Sequence, residues 1–531
     1  MTNERQTLEA AAWQQAPYQS ALLLNETAAL PRDTAMSSPA APLSAQTKLS
    51  LSIVGVALCV GVSGNALLRA TPWGVNLPLW LGLSAGVVGL WQRRVGKVVD
   101  AGATGLVALL FVFAAGFAWR DSAVLRGLDL FALLVLFALI GLRSRTGRLV
   151  TADVSEYFAA ALHTVWGALA GPFLLFLSEI GWRELPREGW QRRAPAILRG
   201  LLLAAPLLLV FGLLLVAADA AFEDLIRKLF SLDFASLFLH GLTIGAIAWL
   251  ASGYLRSLQP HSARVSAATN TQGLSLGIVE IGTVLGLLDL LFLVFVLVQF
   301  QYLFFGATHF KPGAGTPYAM YARRGFFELV TVATLVLPLL LGAHWLLRKD
   351  EPRAERVFRW LAGLQIGLLF VMMASAMYRM RLYQLCCGLT ELRVYTMAFM
   401  IWLALVFIWF AMTVLRGRRD RFAFGAVVAR WALIVGLHLL NPDALIARVN
   451  VQRALAGLPF DAYYTSSLSA DSIPALVEGL PLLKAEDQRI VRQRLQARQT
   501  EFVYTGWRSW NWARMRADQR LQTLFTQGVV R

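Results

Sequence analysis

Twelve apolar runs, each near the length that crosses a lipid bilayer, constrain this chain more than any other feature. They lie at roughly 49–67, 76–91, 102–118, 127–142, 157–178, 198–217, 234–254, 276–300, 325–346, 357–377, 394–414 and 423–440. About 20 helical residues cross the hydrocarbon core. Within lipid every backbone amide needs an internal partner, which leaves the α-helix as the form for such runs. The chain is 57% hydrophobic and only 15% charged, against about 25% charged for soluble domains. Its mean hydropathy is +0.57. The expected fold is therefore all-α: a polytopic integral membrane helical bundle of 11–12 transmembrane segments.

The run at 157–178 carries the ambiguity in that count. It opens with Asp153 and Glu156, holds His163 and is interrupted at Gly171-Pro172. It either spans or dips in and returns. Loops alternate in side, so 218–233, 301–324, 378–393 and the C-terminal region share one face. The loops at 255–275, 347–356 and 415–422 share the other. The second set is rich in arginine (Arg256, Arg264, Arg348, Arg353, Arg356, Arg416, Arg418, Arg419, Arg421). Arg183, Arg187, Arg192 and Arg193 precede the sixth run. By the positive-inside rule this face is cytoplasmic. Arg93, Arg94, Lys97, Arg143, Arg145 and Arg148 follow even-numbered runs, so the amino terminus is expected on the same side. Both assignments hold only if 157–178 does not fully cross, which gives eleven crossings.

Outside the transmembrane region, 47–440, two segments differ in character. Residues 1–46 are rich in Ala, Gln, Ser, Thr and Pro and read as a mobile tail, with a short helix around Glu9–Leu24. Glu4 and Glu9 stand where a signal peptide is basic, so no cleavage is expected. Residues 441–531 have no spanning run and repeat apolar residues at helical spacing. They read as a small helical extramembrane domain. Asn441-Pro442, and Ser469 with Asp471, offer helix-start chemistry. Its "WRSWNWARMRADQRL" stretch is basic and carries three tryptophans, expected to pack within the domain more than against headgroups. The amphipathic "AFEDLIRKLF" between two runs is expected at the membrane interface.

A net charge of +17 would suit nucleic acid in a soluble protein. Here the cations sit in short loops between apolar runs, so membrane lipids are the expected partners and nucleic acid is not. The three cysteines, Cys59, Cys386 and Cys387, have no metal or disulfide spacing, and Cys59 is expected to pack inside its run. No phosphate-binding loop, metalloprotease motif, nucleophile elbow or kinase set occurs. No metal, cofactor or catalytic residue is assigned.

Three stretches place charge where the surroundings are apolar. In "TPYAMYARRGFFELV", Thr316-Pro317 is a helix start, and Tyr321, Arg324 and Glu328 fall on one stripe beside Arg323. Arg324 and Glu328 can pair at i, i+4. A bare carboxylate in hydrocarbon costs several kcal/mol, so Glu328 is expected to face the bundle or a partner. The stretch is either an ion pair that fixes how the helix enters or an anion- or proton-handling site. In "MYRMRLYQLCCGLTELRVY", Gly388 ends one helix and Thr390 can cap the next. Glu391 enters the first turn, where the helix dipole favours an acid. Arg379, Arg381, Arg393, Tyr378, Tyr383 and Tyr395 crowd the same loop. Together the two stretches make a candidate headgroup or ligand site of Tyr321, Arg323, Arg324, Glu328, Arg379, Arg381, Glu391, Arg393 and Tyr395. Interfacial anchoring explains the same residues. The third stretch holds two intramembrane acids, Glu280 and Asp289. Nine residues on a helix turn about 900°, so they point to opposite sides. Asp289 is the stronger candidate for ion or proton handling. His240, His344, Arg430 and His438 also lie in or near spans.

"YAMYARRGFFELVTVATLVLPLLL", "LYQLCCGLTELRVYTMAFMIWLALVF" and "FVLVQFQYLF", with the "NPDALIARVNVQRAL" and "LSADSIPALVEGL" helices, resemble a family of bacterial multi-pass membrane proteins catalogued as domain of unknown function 4153/4173. The resemblance covers roughly 200–520. It implies a bacterial cytoplasmic (inner) membrane protein and no activity. The expected role is a non-enzymatic envelope component that binds a ligand, a lipid or an envelope protein partner, for sensing or scaffolding. A secondary transporter using intramembrane carboxylates is the alternative. A membrane enzyme on lipid-linked substrates comes third.

Overall fold

The apolar runs form long helices wherever the structure, a computed structural model, describes them. It describes residues 43–96, 100–182, 184, scattered positions between 200 and 219, 234–259, 276–304, 326–348, 352–502 and 506–527. The membrane-length helices are α1 Ala45–Leu68, α2 Asn76–Arg94, α3 Ala101–Trp119, α4 Ala123–Thr146, α5 Val154–Leu174 continued by a π turn Leu175–Glu179, α6 Phe234–Ser257, α7 Ile278–Phe304, α8 Phe326–Leu346, α9 Pro352–Cys387, α10 Glu391–Thr413 and α11 Phe422–Leu440. By length and composition ten helices among the described residues can cross a membrane. Five shorter helices follow: α12 Pro442–Leu455, α13 Ala462–Ser467, α14 Ile473–Gly479, α15 Ala485–Ala497 and α16 Trp512–Gln527. No strand occurs among the described residues, only an isolated bridge between Leu276 and Leu347.

Side-chain contacts fix the direction of each helix. Trp91 and Trp80 of α2 donate to Ser52 Oγ and the Val60 carbonyl of α1, so the pair is antiparallel. Arg143 pairs with Asp100 while Gly116 packs on Asp129, which makes α3 and α4 antiparallel. His240 of α6 meets Asn65 and Arg69 at the end of α1. Phe410 of α10 packs on Phe422 at the start of α11, and Tyr395 meets Ser122. The bridge joins the start of α7 to the end of α8. One face therefore gathers residues 45, 94, 101, 146, 257, 278, 346, 352, 413 and 422. We call it the basic face, because Arg93, Arg94, Arg143, Arg145, Arg256, Arg353, Arg356, Arg416, Arg418, Arg419 and Arg421 lie there. The opposite face carries the C-terminal helices and is the cap face.

Helix α5 does not connect the two faces. Near its start, Asp153 pairs with Arg419 at 2.9 Å and Tyr157 donates to the Leu149 carbonyl at 2.8 Å. At its far end, Glu179 pairs with Arg256 at 2.7 Å and the Gly181 amide donates to Thr47 Oγ1 at 3.0 Å. All four partners belong to the basic face. The helix is unbroken, with Pro172 inside it, so there is no chain reversal within it either. It lies obliquely among the ends of α4, α6 and α11. Glu179 lies at the basic face and Phe234 at the cap face, and the apolar run at 198–217 falls between them in sequence. Among the described residues ten helices, α1 to α4 and α6 to α11, run from one face to the other.

Small residues let α5 and α6 approach closely. A Cβ on Gly171 would lie 2.9 Å from Gly253 Cα, and one on Gly167 would lie 2.8 Å from Ser257 Cβ. Helices in lipid have little hydrophobic drive toward each other, so such backbone contact supplies the packing. Elsewhere, Cys59 is exposed rather than packed inside the bundle, because it points away from the buried Ile53–Ala57–Val60 stripe of α1. Residues 1–42 and 221–230 lie outside the described residues, as do Tyr321, Arg323 and Arg324.

Candidate functional site at the cap face

Helices α1, α3, α9 and α11 all end at the cap face, and each leaves carbonyls without an intrahelical partner. Arginine and asparagine side chains meet them there. Arg508 Nη1 donates to the Ala66 carbonyl at 2.7 Å. Asn511 Nδ2 donates to the carbonyls of Phe117 and Arg120 at 2.8 and 2.9 Å. Arg120 Nε and Nη2 donate to the His438 carbonyl at 3.0 and 2.6 Å. Arg393 donates to the Cys387 carbonyl at 3.0 Å and to that of Gly388, with its guanidinium 3.9 Å from the Tyr383 ring centroid. Cations at helix C-termini are also favoured by the macrodipole.

The three-residue turn Arg120-Asp121-Ser122 between α3 and α4 is the centre of this arrangement. Arg120 Nη1 lies 3.1 Å from Asp471 Oδ1. The Asp121 amide donates to Asp471 Oδ2 at 2.7 Å. The Asp121 carboxylate accepts from the Ala470 amide at 3.3 Å and pairs with Arg126 at 2.7 Å and Arg514 at 2.6 Å. Two aspartates and three arginines, drawn from two membrane helices and the C-terminal segment, thus compensate each other in a largely buried cluster. Asp471 and Asp121 are only 6% and 8% exposed. Burial raises the Asp471 carboxyl above its ordinary value, against the lowering effect of the Asp121 amide and Arg120.

Beside this cluster lies a second carboxylate group. Asp443 is fully buried. One of its oxygens accepts from Ser469 Oγ, and the other has no partner among the described residues. Burial pushes Asp443 up to about 6, and the nearby charges of Glu391 and Asp471 push the same way. Glu391 donates its backbone amide to Tyr464 Oη at 2.7 Å. Tyr395 Oη is 3.1 Å from Ser122 Oγ. Asn450 holds the α9–α10 turn by exchanging hydrogen bonds with both backbone groups of Leu389, at 2.9 and 3.0 Å. Gly388 has φ 73°, and a Cβ there would meet Asn450 Oδ1 at 2.7 Å, so glycine fits on both counts.

Below the turn, His438 Nε2 lies 2.9 Å from Asp129 Oδ1, and Trp119 stacks on the His438 ring. His438 is a partnered group rather than a lone histidine. His240 likewise meets Asn65 and Arg69. Arg430 lies over the Phe131 ring, and His344 packs on Phe358.

The residues singled out from sequence are distributed as follows. Glu391, Arg393, Tyr395, Arg379, Arg381 and Glu328 all stand at cap-face helix ends. Glu391 and Tyr395 join the buried network, and Arg393 closes the end of α9. Arg381 is exposed. Glu328 is exposed too, which leaves a partner of the two surroundings expected for it; it occupies the first turn of α8, where the helix end itself favours a carboxylate. Thr390 takes the N-cap position of α10 without a capping side-chain bond. Of the tryptophans, Trp507 and Trp512 are 63% and 42% exposed, a correction to their expected packing. The 507–511 stretch is spent on the ends of α1, α2 and α3, with the Val75 amide on the Trp510 carbonyl. Asp121, Asp443, Arg514 and the Asp129–His438 pair escaped sequence reading, although an Arg-Asp-Ser turn between two apolar runs and an aspartate inside one were visible signals. Glu280 is exposed and Asp289 buried, on opposite sides as their spacing requires. No group of three metal-ligating side chains occurs among the described residues.

The fold and its faces define a multi-pass membrane protein. Residues 106–479 match the model of the family described as Domain of unknown function (DUF4153), and the chain belongs to that family. The match takes in α4 to α11 and the helices through α14, and stops before α15. No curated protein and no solved structure matches the chain.

Proposed function

We propose that this chain is a non-enzymatic component of a bacterial cytoplasmic membrane, with its basic face in the cytoplasm and its C-terminal helices, 441–531, as a small domain outside. Its role is to bind a ligand, a lipid headgroup or an envelope protein partner at the cap face. The observation that carries the reading is the Arg120–Asp121–Asp471–Arg514 cluster. It fastens the cap rigidly to the helix ends instead of leaving it tethered. The cap face then offers one preorganised surface, and preorganisation lowers the ordering cost of binding. Glu328, Arg379 and Arg381 stand at helix ends of the same face, and Tyr321, Arg323 and Arg324 precede Glu328 in sequence. Glu391, Arg393 and Tyr395 stand at the start of α10 on that face. Orientation rests on the arginine-rich loops.

Native mass spectrometry of gently extracted protein tests the reading. A retained lipid or partner is expected, and alanine at both Arg323 and Arg324 should remove it. An unchanged bound species would exclude the headgroup site. A second reading, a secondary transporter, is favoured by one observation: Asp289 is buried in the bundle with neither carboxylate oxygen partnered among the described residues. It predicts pH-dependent substrate accumulation in liposomes.

A further inference from the structure

Helices α7 and α9 run parallel and press their apolar stripes together: Ile281, Leu285, Phe292 and Val296 against Phe358, Ala362, Leu369 and Ala376. Two polar side chains sit inside each stripe. On α7 these are Asp289 and Gln299, 4% and 6% exposed; on α9 they are Gln365 and Ser375, 0% and 2% exposed. Ser375 Oγ donates to Gln299 Oε1 at 2.5 Å, across a separation of 76 positions. Asp289 and Gln365 are also 76 positions apart (365 − 289). Parallel helices share one rise per residue, so this register sets Asp289 level with Gln365, ten residues or about 15 Å from the other pair. Yet both Asp289 oxygens and both Gln365 amide atoms lack a partner among the described residues.

Four unpartnered polar atoms at one level of a dry helix pair call for an occupant. No cation lies beside the pair among the described residues of these helices. Sequence positions 281–301 of α7 contain no titratable group except Asp289, and 360–377 of α9 and 329–343 of α8 contain none. The charged and titratable groups on these helices and on α10, which packs against them, stand at helix ends: Glu280 on α7; Arg353, Glu355, Arg356 and Arg359, then Tyr378, Arg379, Arg381 and Tyr383 on α9; Glu328 and His344 on α8; Glu391, Arg393 and Tyr395 on α10. An uncompensated carboxylate at this depth costs several kcal/mol.

We propose that Asp289 and Gln365 form an intramembrane site for one proton. The protonated carboxyl donates to Gln365 Oε1 while the Gln365 amide donates back to the carboxyl C=O, closing a two-hydrogen-bond ring. Binding takes one H+ from water and its release returns one; no other bond forms or breaks. The site deepens the transporter reading by naming the coupling ion, and it rests on that reading only for its use, not for its existence.

Infrared spectroscopy of the full chain in phosphatidylglycerol nanodiscs, over a pH series, tests it. The difference spectrum between wild type and Asp289→Asn should contain a protonated carboxyl C=O band that shifts in D2O. Asparagine is isosteric and can pair with Gln365, so this variant keeps the packing. In Gln365→Leu, with Asp289 intact, the band should move to higher frequency as its hydrogen bond is lost. Absence of the band at every pH, or an unmoved band in Gln365→Leu, overturns the proposal. Loss of the band when choline is replaced by sodium at constant pH also overturns it, in favour of a metal cation. A band present without proton-coupled accumulation in liposomes would leave the site standing and remove the transporter reading.

Discussion

Asp121 exchanges hydrogen bonds with the Ala470-Asp471 dipeptide across the junction between the membrane helices and the cap. The Asp121 amide donates to Asp471 Oδ2 at 2.7 Å, and the Ala470 amide returns one to the Asp121 carboxylate at 3.3 Å. Asp471 thus holds the Asp121 backbone and Asp121 holds that of Ala470, while arginines neutralise both carboxylates. Removing one member leaves buried charge uncompensated, which typically costs about 3–5 kcal/mol. Asp471→Ala should therefore lower the thermal midpoint and speed exchange of the Asp121 amide, read by hydrogen–deuterium exchange. Asp471→Asn keeps an acceptor for one of the two donors and should fall between wild type and alanine. Equal protection of the Asp121 amide in all three proteins would remove the cluster from the account.

Asp443 gives the cap junction a pH dependence of definite sign. Its folded value is raised to about 6, whereas the unfolded carboxyl titrates near 3.9. Between these values the folded state binds more protons, so stability falls as pH rises through the window. The loss is at most about 3 kcal/mol, at 1.36 kcal/mol per pH unit. Melting curves from pH 4 to 7 should show this decline, and Asp443→Asn should flatten that part of the profile and raise stability at pH 7. An unchanged slope in the variant would assign the dependence to another group.

The placement of α5 predicts a labelling pattern. In a chain with Cys59, Cys386 and Cys387 replaced, single cysteines at Glu156 and Ser178, both exposed, should react with a membrane-impermeant maleimide from the same side as one at Arg418. A cysteine at Trp507 should react only from the opposite side. Ser178 labelling with Trp507 instead of Glu156 would make α5 a crossing.

The apolar runs were legible because a span has to be both long and apolar, and two further features followed from local geometry. Glu280 and Asp289 point apart because nine residues rotate a helix by about two and a half turns, and the loop arginines agree with each other only if α5 does not cross. What stayed hidden was non-local. Asp121 meets Asp471 across 350 positions, and no periodicity announces such a pair. Arg393 read as part of a ligand rim, but its guanidinium is committed to the carbonyls that end α9. Glu328 was expected against the bundle or a partner because a carboxylate in hydrocarbon is costly. Standing in the first turn of α8, it reaches the end of the helix rather than its middle, and the cost does not arise.

The glycines between α5 and α6 provide a test in which substitution acts against helix propensity. In a helix interior Gly→Ala ordinarily stabilises by about 1 kcal/mol. At Gly253 a Cβ would overlap the backbone carbonyls of Gly167 and Ala168, which cannot swing aside as a side chain can. Gly253→Ala should therefore destabilise, and the strain should appear in its partner: peptides from 154–179 should exchange amide hydrogens more than about tenfold faster if local opening is eased by 1.4 kcal/mol or more. Gly245 lies on the same helix with nothing within 4 Å of its Cβ position, so Gly245→Ala serves as the control and should leave that exchange unchanged or slow it. Equal exchange of 154–179 in the two variants would mean that the close approach of α5 to α6 does not hold α5 against the basic face.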